Sequence, residues 1–225
     1  MTRAILFDCD STLSTIEGID VLAERAGVVD QVVPLTNAAM DGSLPLEAAY
    51  AARLDLIRPQ RAVIDWLGRH YVDTMVEGAP QAVHALRALG WQVHVVSGGI
   101  RQAVLVLARH LGVPDAQVHA VDLAFDAAGD YAGFDSASPL ARNGGKADIC
   151  REVMAHGASV VMVGDGMTDL EAATAGATVV GFGGVVRREV VASRAQHYID
   201  RADLREVVRL LATPDECARV AALLA

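Results

Sequence analysis

The stretch AILFDCDST, residues 4–12, places four apolar residues directly before a pair of carboxylates, Asp8 and Asp10. Two further short apolar runs, residues 93–96 and 160–163, also end at a polar or glycine-bearing corner. Short runs of this kind, without polar alternation, are typical of strands that are buried on both faces of a parallel sheet. The sequence therefore predicts an α/β fold around a parallel sheet.

Amphipathic stretches lie between these runs. Residues 79–89 and 101–111 have the apolar spacing of helices, and each is followed by a glycine, a residue that commonly ends a helix. Strands that alternate with helices predict a doubly wound parallel sheet, that is, a Rossmann-like core.

Two segments interrupt this alternation. Residues 15–77 contain only helical-looking stretches and are far longer than an ordinary crossover, so we predict an inserted helical cap. The predicted catalytic core then comprises residues 1–14 and 78–225. The second segment, residues 123–134, has two short apolar runs around a turn-rich loop and predicts a β-hairpin.

Composition limits the class of partner. The 225 residues are 52% hydrophobic and carry a formal charge of −9, which argues against a nucleic-acid-binding protein. No apolar run approaches the ~18 residues of a membrane span, and the first residues do not resemble a signal peptide. The three cysteines lack the spacing of a zinc site or a disulfide framework. We therefore expect a cytoplasmic monomer or homodimer with no membrane or nucleic-acid partner.

The pair Asp8 and Asp10 suggests phosphoryl chemistry, although such a pair taken alone also occurs in solvated turns. Two positions apart in an extended segment, both side chains point to the same side. One carboxylate can attack phosphorus to form an acyl phosphate, and the other can protonate the leaving alkoxide and later accept a proton from water. Because close carboxylates repel a phosphate dianion, this interpretation requires a cation, which we predict to be Mg²⁺.

Polar groups near the other predicted strand ends complete the candidate site. Asp165 and Asp169 offer carboxylates to Mg²⁺. Ser97 and Gly98 offer a hydroxyl and an N–H group close to a predicted helix N-terminus, which favours an anion. Lys146 offers a fixed positive charge to a transferring phosphoryl group. Since sites in open α/β sheets lie outside the carboxyl ends of the strands, we expect these residues to meet there.

In order and spacing, these segments resemble the four motifs of the haloacid dehalogenase superfamily, namely DCDST (8–12), VSGG (96–99), Lys146 and GDGMTD (164–169). Four more segments are similar to the phosphoserine phosphatases of that superfamily: EGID (17–20), AGFD (132–135), GGK (144–146) and GFGG (181–184). Two positions, Asp41 and Val185, depart from residues that are common in relatives. The resemblance spans most of the chain.

The resemblance implies a role for each matching residue of the predicted core. Asp8 would be the nucleophile and Asp10 the general acid and base. Mg²⁺ would be bound by Asp8, the main-chain carbonyl of Asp10 and Asp165, while Asp169 would orient the water ligands of the metal. The groups in contact with the phosphate would be Ser97, Gly98 and Lys146.

The resemblance also implies residues that bind the rest of the substrate. Glu17 would face an ammonium group, and Arg53 would pair with a carboxylate, which a guanidinium can bind at two points. Met40 would be an apolar lid residue, and Thr168 would present a hydroxyl on the substrate side. Taken separately, an acid near a helix start and an arginine on a helix are also common surface features.

The expected function is Mg²⁺-dependent hydrolysis of O-phospho-L-serine, a small phosphomonoester, to L-serine and phosphate through an aspartyl phosphate on Asp8, the last step of serine biosynthesis in that family. One alternative keeps this chemistry but transfers the phosphoryl group to homoserine or hydrolyses another small phosphomonoester. A second alternative is a non-catalytic phosphoacceptor switch, as in receiver domains. Asp10 argues against the switch, because an acid at this position predicts rapid turnover of the acyl phosphate.

Overall fold

The computed structural model describes residues 2–40 and 43–225, except the side chains of residues 39 and 40. Within these residues, six parallel strands form one sheet and two antiparallel strands form a hairpin. The strands are β1 (Thr2–Phe7), β2 (Trp91–Ile100), β3 (Val118–Val121), β4 (Leu123–Phe125), β5 (Tyr131–Phe134), β6 (Ala158–Gly164), β7 (Thr178–Phe182) and β8 (His197–Ile199). The order across the sheet is β3-β2-β1-β6-β7-β8.

Strand β1 lies in the interior of the sheet, between β2 and β6. Ile5 stands opposite Val93 on one side and Val161 on the other, and every residue of the run 4–7 is buried. Parallel strands covered on both faces need apolar side chains on both faces, which explains the continuous apolar runs in the sequence. The predicted doubly wound parallel sheet is confirmed.

Helices flank the sheet and connect its strands. They are α1 (Gly18–Ala26), α2 (Val29–Met40), α3 (Leu46–Ile57), α4 (Arg61–Asp73), α5 (Ala79–Ala88), α6 (Arg101–His110), α7 (Gly145–Ala155), α8 (Met167–Leu170), α9 (Glu189–Arg194), α10 (Arg205–Leu211), α11 (Pro214–Arg219) and α12 (Ala221–Leu224). The helices predicted at 79–89 and 101–111 correspond to α5 and α6 within one residue. Among the described residues, no helix has the length and apolar character that crossing a membrane requires.

Strand β2 is longer than its apolar run predicted. The run covers residues 93–96, whereas the strand continues through Ser97 to Ile100, and α6 begins at the next residue. Its pairing with β3 shifts register between Val96 and Ile100. The apolar pattern therefore marks only the continuous central part of β2, although Trp91 and Ile100 at its two ends are also buried. The extended backbone beyond it carries a serine and two glycines, for which apolar spacing gives no signal.

The segment between β1 and β2 contains α1, α2, α3 and α4 in its described part. Its two ends are joined where they leave the sheet: the N–H of Thr15 donates to the carbonyl of Thr74 (2.8 Å), and the N–H of Val76 donates to the carbonyl of Leu13 (3.0 Å). Helix α4 packs against α6, the helix that follows β2. The division of the chain into a core and a cap of residues 15–77 stays a prediction.

Strands β4 and β5 form the predicted antiparallel hairpin. This hairpin contacts helices α3 and α4. The N–H of Arg61 donates to the carbonyl of Gly129 (2.9 Å), and the Arg61 guanidinium lies 4.6 Å from the centre of the Phe125 ring. The rings of Tyr50 and Phe134 lie 5.1 Å apart. The two segments that interrupt the strand–helix alternation therefore support each other beside the sheet.

The strand order places a topological switch point between β1 and β6. Strands β2 and β3 lie in sequence order on one side of β1. Strands β7 and β8 follow β6 in sequence order on the other side. Ligands of open α/β sheets bind outside the carboxyl ends of the strands at such a point. Asp8 follows β1 there, and Asp165 follows β6.

Candidate active site

Asp8 is fixed at the switch point by its backbone and by both side-chain oxygens. Its N–H donates to the carbonyl of Val163 in β6 (2.9 Å). Its Oδ1 accepts from the N–H of Cys9 (2.7 Å), and its Oδ2 lies 2.9 Å from Nζ of Lys146. The residue is only 7% exposed. A carboxylate held in this way has few orientations to lose before it attacks a substrate.

Lys146, in the first turn of α7, joins two carboxylates. Its Nζ lies 2.9 Å from Oδ2 of Asp8 and 2.7 Å from Oδ1 of Asp169. Burial alone would lower the pKa of this lysine, but the charges of Asp169 and Asp8 together outweigh it, so the pKa is raised. The side chain therefore stays an ammonium ion and provides a buried positive charge beside Asp8.

Three buried carboxylates form an acidic cluster, with one oxygen of each of Asp8, Asp165 and Asp169 within 4.8 Å of the others. Burial and the charge of Asp169 together raise the pKa of Asp165 to about 6, against the opposing charge of Arg188. Burial also raises the pKa of Asp8; Lys146 opposes this shift, while Asp169 and Asp165 add to it. Carboxylate oxygens with excess negative charge are the ligands that hard divalent cations prefer. The cluster is therefore suited to a metal ion.

The turn between β6 and α8 brings Asp169 into this cluster. Gly164 packs directly against the Asp169 carboxylate, and a Cβ atom at that position would collide with it. The N–H of Gly166 donates to Oδ2 of Asp169 (2.9 Å). The glycines of the GDGMTD segment thus allow Asp169 to approach the backbone closely.

Asp10 is held by donors from three parts of the chain. Its Oδ1 accepts from the N–H of Gly18 (2.6 Å) and from the hydroxyl of Tyr71 (2.8 Å). Its Oδ2 lies 3.4 Å from the hydroxyl of Ser97. Burial raises the pKa of Asp10, and the hydrogen bonds from Gly18 and Tyr71 limit this rise. A raised pKa favours the carboxylic acid, which is the form that can protonate a leaving group.

Ser97 contacts Oδ2 of Asp10, whereas Tyr71 contacts Oδ1. It is fully buried, and its hydroxyl accepts from the N–H of Gly99 (2.9 Å). Gly98 lies between these two residues in β2. Thr168 is half-buried in α8, close to Gly166. The structure therefore gathers the predicted core residues at the carboxyl edge of the sheet, while their roles toward a substrate stay predictions.

The residues predicted to recognise the substrate are less directly connected to the carboxylates of the site than the core residues are. Oε1 of Glu17 accepts from the hydroxyl of Ser11 (2.7 Å), and burial, with the charge of Asp10, raises the pKa of Glu17 to about 7. Arg53 donates to the carbonyl of Ala49 within its own helix (3.2 Å). Burial lowers the pKa of Arg53, and the charges of Tyr50, Asp20 and Glu17 oppose this shift. Met40 ends α2, and its side chain lies outside the described residues.

Two residues of the site carried no signal in the sequence. Arg188 precedes α9, and its Nε donates to Oδ2 of Asp165 (3.1 Å) while its Nη2 lies 3.8 Å from Oε1 of Glu17. Tyr71 lies in α4 and donates to Asp10. An apolar helix position predicts that a tyrosine ring is buried, but it does not predict what the hydroxyl meets.

A model of the haloacid dehalogenase-like hydrolase family matches residues 2–176 of the sequence. This span contains the acidic cluster and the strands from β1 to β6. The chain belongs to this family. As a haloacid dehalogenase-like hydrolase, it has the fold and the carboxylate cluster that the motifs predicted.

The relatives of this haloacid dehalogenase-like hydrolase include phosphoserine phosphatases. The chain is 40% identical over 198 residues to the phosphoserine phosphatase of Bos taurus, across 87% of this chain and 88% of the relative. It is 39% identical to that of Homo sapiens, with the same coverage. A solved structure described as a phospho-aspartyl intermediate analogue of phosphoserine phosphatase has a TM-score of 0.76 and 28% identity, and the match covers 94% of this chain and 99% of that one.

Proposed function

We propose that this chain hydrolyses O-phospho-L-serine to L-serine and phosphate, the last step of serine biosynthesis, through an aspartyl phosphate on Asp8. The observation that carries the proposal is the pairing of buried Asp8 with Lys146 beside a second held carboxylate, Asp10. This arrangement occurs in a chain that is 40% identical to a phosphoserine phosphatase over most of both sequences. Asp10 also opposes the alternative of a long-lived phosphoacceptor switch, since it supplies a base for hydrolysis.

The reaction proceeds in two displacements. First, an oxygen of Asp8 attacks phosphorus and the bond from phosphorus to the serine oxygen breaks, while the proton of Asp10 passes to that oxygen. Second, a water oxygen attacks phosphorus as Asp10 takes a proton from the water, and the bond from phosphorus to Asp8 breaks. Phosphate leaves, Asp8 is a carboxylate again, and Asp10 is protonated for the next cycle.

The proposed cofactor is Mg²⁺. Asp8 and Asp165 would hold it through their carboxylates and Asp10 through its main-chain carbonyl, while Asp169 would orient its water ligands. The all-oxygen donor set and the crowding of three carboxylates support this choice. When bound, Mg²⁺ offsets the repulsion between the carboxylates and a phosphate dianion. The groups proposed to hold the phosphoryl oxygens are Ser97, Gly98 and Lys146.

The proposed substrate contacts follow the charges of phosphoserine. Glu17 would face the ammonium group and Arg53 the carboxylate, with Met40 and Thr168 beside them. The charge of Glu17 opposes the lowering of the Arg53 pKa, and this interaction supports the placement of the two side chains around one ligand. We further propose that residues 15–77 act as a cap that excludes water during the first displacement.

The proposed setting is the cytoplasm, with a small phosphomonoester as the ligand. The three cysteines are free thiols, which suits a reducing compartment. The formal charge of −9 disfavours a polyanionic partner such as nucleic acid. We propose a monomer or homodimer.

The experiment is phosphate release from L-phosphoserine, phosphothreonine, phosphohomoserine and glycerol phosphate, each with and without Mg²⁺. A parallel set contains homoserine as a possible acceptor. We expect Mg²⁺-dependent release with a strong preference for L-phosphoserine. Equal activity across the panel would contradict the substrate assignment, and phosphohomoserine formed in place of phosphate would show transfer.

Two variants make this test specific to the proposed site. Asp8→Asn removes the nucleophile and is expected to abolish turnover. Asp65→Asn changes an exposed carboxylate on α4 and is expected to keep the wild-type rate. Turnover by Asp8→Asn at the rate of Asp65→Asn would exclude an aspartyl phosphate at Asp8.

A further inference from the structure

Tyr71 connects the inserted helices to the carboxylate of Asp10. Its side chain is fully buried in α4, and its hydroxyl donates to Oδ1 of Asp10 at 2.8 Å. Asp10 itself lies in the loop after β1. The hydrogen bond therefore joins two segments separated by 61 positions, and it ends on a catalytic atom rather than on the backbone.

Two glycines pack beside this contact, and one of them, Gly18, leaves the space that it needs. A Cβ atom at Gly18 would collide with the Tyr71 hydroxyl. A Cβ atom at Gly99 would lie 3.5 Å from the same hydroxyl and 3.1 Å from Oδ2 of Asp10. Gly18 also donates its N–H to Oδ1 of Asp10 (2.6 Å). The phenol thus reaches Asp10 through a gap between two backbone segments.

The two donors to Oδ1 determine where the acid proton of Asp10 can lie. The N–H of Gly18 can only donate, and the hydroxyl of Tyr71 donates to the same oxygen. With two donors on Oδ1, the proton of the neutral carboxylic acid belongs on Oδ2. Oδ2 accepts one long hydrogen bond, 3.4 Å, from the hydroxyl of Ser97, a group that can rotate and accept the proton of Oδ2 instead.

We propose that Tyr71 is a positioning residue for the general acid, and that its hydroxyl holds Asp10 with the transferable proton on Oδ2, directed toward the phosphoryl site. The inference rests on the proposed function, in which Asp10 protonates the leaving oxygen of the substrate. Without the phenol donor, the carboxyl group can rotate and place its proton on the oxygen that faces α4. Proton delivery then requires an additional reorientation.

A positioning role and a purely structural role predict different dependence on the leaving group. A serine alkoxide leaves only when it is protonated, so its departure depends on Oδ2 of Asp10. The leaving groups of p-nitrophenyl phosphate and 2,4-dinitrophenyl phosphate depart without a proton. A general loosening of the site would slow attack by Asp8 on all three esters, whereas misplacement of the acid would slow only the alkyl ester.

The test is Tyr71→Phe, which keeps the buried ring and removes only the hydroxyl. Rapid-quench measurements give the rate of aspartyl phosphate formation from phosphoserine and from the two activated esters. We expect the rate with phosphoserine to fall at least about tenfold, and the rates with the activated esters to stay within about twofold of wild type. An equal loss with all three esters, or no loss with phosphoserine, would overturn the proposal.

Two further variants make the result specific. Tyr198→Phe removes a buried hydroxyl that has no hydrogen-bond partner among the described residues, and it should leave every rate unchanged. Gly18→Ala displaces the Tyr71 hydroxyl with a methyl group and should reproduce the selective loss, which keeps the proposal testable if Tyr71→Phe does not fold. A Gly18→Ala enzyme with wild-type rates on phosphoserine counts against it.

A wrong substrate assignment can be distinguished from a wrong role for the Tyr71 hydroxyl. If the wild-type enzyme hydrolyses another alkyl phosphate instead of phosphoserine, that ester replaces phosphoserine in the comparison. The substrate assignment is then wrong, while the ratio of alkyl to activated ester rates in Tyr71→Phe still decides the role of the hydroxyl.

Discussion

The ammonium nitrogen of Lys146 lies 2.9 Å from Oδ2 of Asp8. On its other side it lies 2.7 Å from Oδ1 of Asp169. Lys146 is the single lysine of the sequence, and the rest of the 19 Lys and Arg residues are arginines. A compact ammonium fits between two buried carboxylates, whereas a planar guanidinium needs more width and a different donor geometry. We therefore expect this position to require a lysine, although all other Lys and Arg residues of the sequence are arginines.

Lys146→Arg tests this requirement while it keeps the charge. We expect kcat/KM for phosphoserine to fall by about 10²-fold or more, because the guanidinium cannot contact both carboxylates and the phosphoryl oxygens in the same space. Arg142→Lys, an exchange in the opposite direction at an exposed position before α7, is the control and should change kcat/KM little. A Lys146→Arg enzyme within about threefold of wild type would show that charge alone suffices.

Arg53→Ala tests recognition of the substrate carboxylate. We expect the KM for phosphoserine to rise about tenfold with a smaller change in kcat, because a charge-assisted pair formed on binding is lost. O-phosphoethanolamine has the ammonium and phosphate groups but no carboxylate, so its KM should be the same in both enzymes. Arg69→Ala, an exposed arginine on α4, is the control. A KM for phosphoserine that stays at the wild-type value would remove Arg53 from the binding site.

Much of the fold and the core of the site could be predicted because their signals are local. The apolar runs before Asp8 and Asp165 are strands that are buried on both faces, and parallel strands place their carboxyl ends at one edge. Glycines mark the turn at which Asp169 approaches Gly164. The sequence therefore predicted the acidic cluster from local spacing, and the parallel pairing of β1 with β6 brings its carboxylates together.

The remaining contacts depend on how distant segments pack, and local patterns do not describe that. Tyr71 reaches Asp10 only because α4 packs next to the loop after β1. Arg188 reaches Asp165 only because the segment after β7 returns toward the site. Both residues are common types at unremarkable positions, so the sequence predicts their burial or exposure but not their partners. For Arg53, the contact with a substrate is still a prediction.

A pair of histidines outside the site predicts a loss of stability in mild acid. Nδ1 of His94 in β2 lies 3.2 Å from Nε2 of His119 in β3. Burial and the neighbouring His119 together lower the pKa of His94 to about 4, and burial also lowers the pKa of His119. Because the folded pKa lies below the unfolded value of about 6.5, the unfolded chain binds more protons in this range. The stability from neutral His94 is therefore complete above about pH 6.5 and is lost as the pH falls toward 4.

His94→Gln removes this proton uptake and keeps a polar group opposite His119. We expect the free energy of unfolding in urea to fall less between pH 7 and pH 4.5 in the variant than in the wild type, by about 2 kcal/mol at most because water partly screens the pair. Comparison with the wild type cancels the contribution of the carboxylates, which titrate in both proteins. His197→Gln, at an exposed histidine of β8, should follow the wild-type curve. An acid-induced loss as large in His94→Gln as in His197→Gln would mean that the pair accepts a proton without penalty in the folded state, so that its burial does not govern the response to pH.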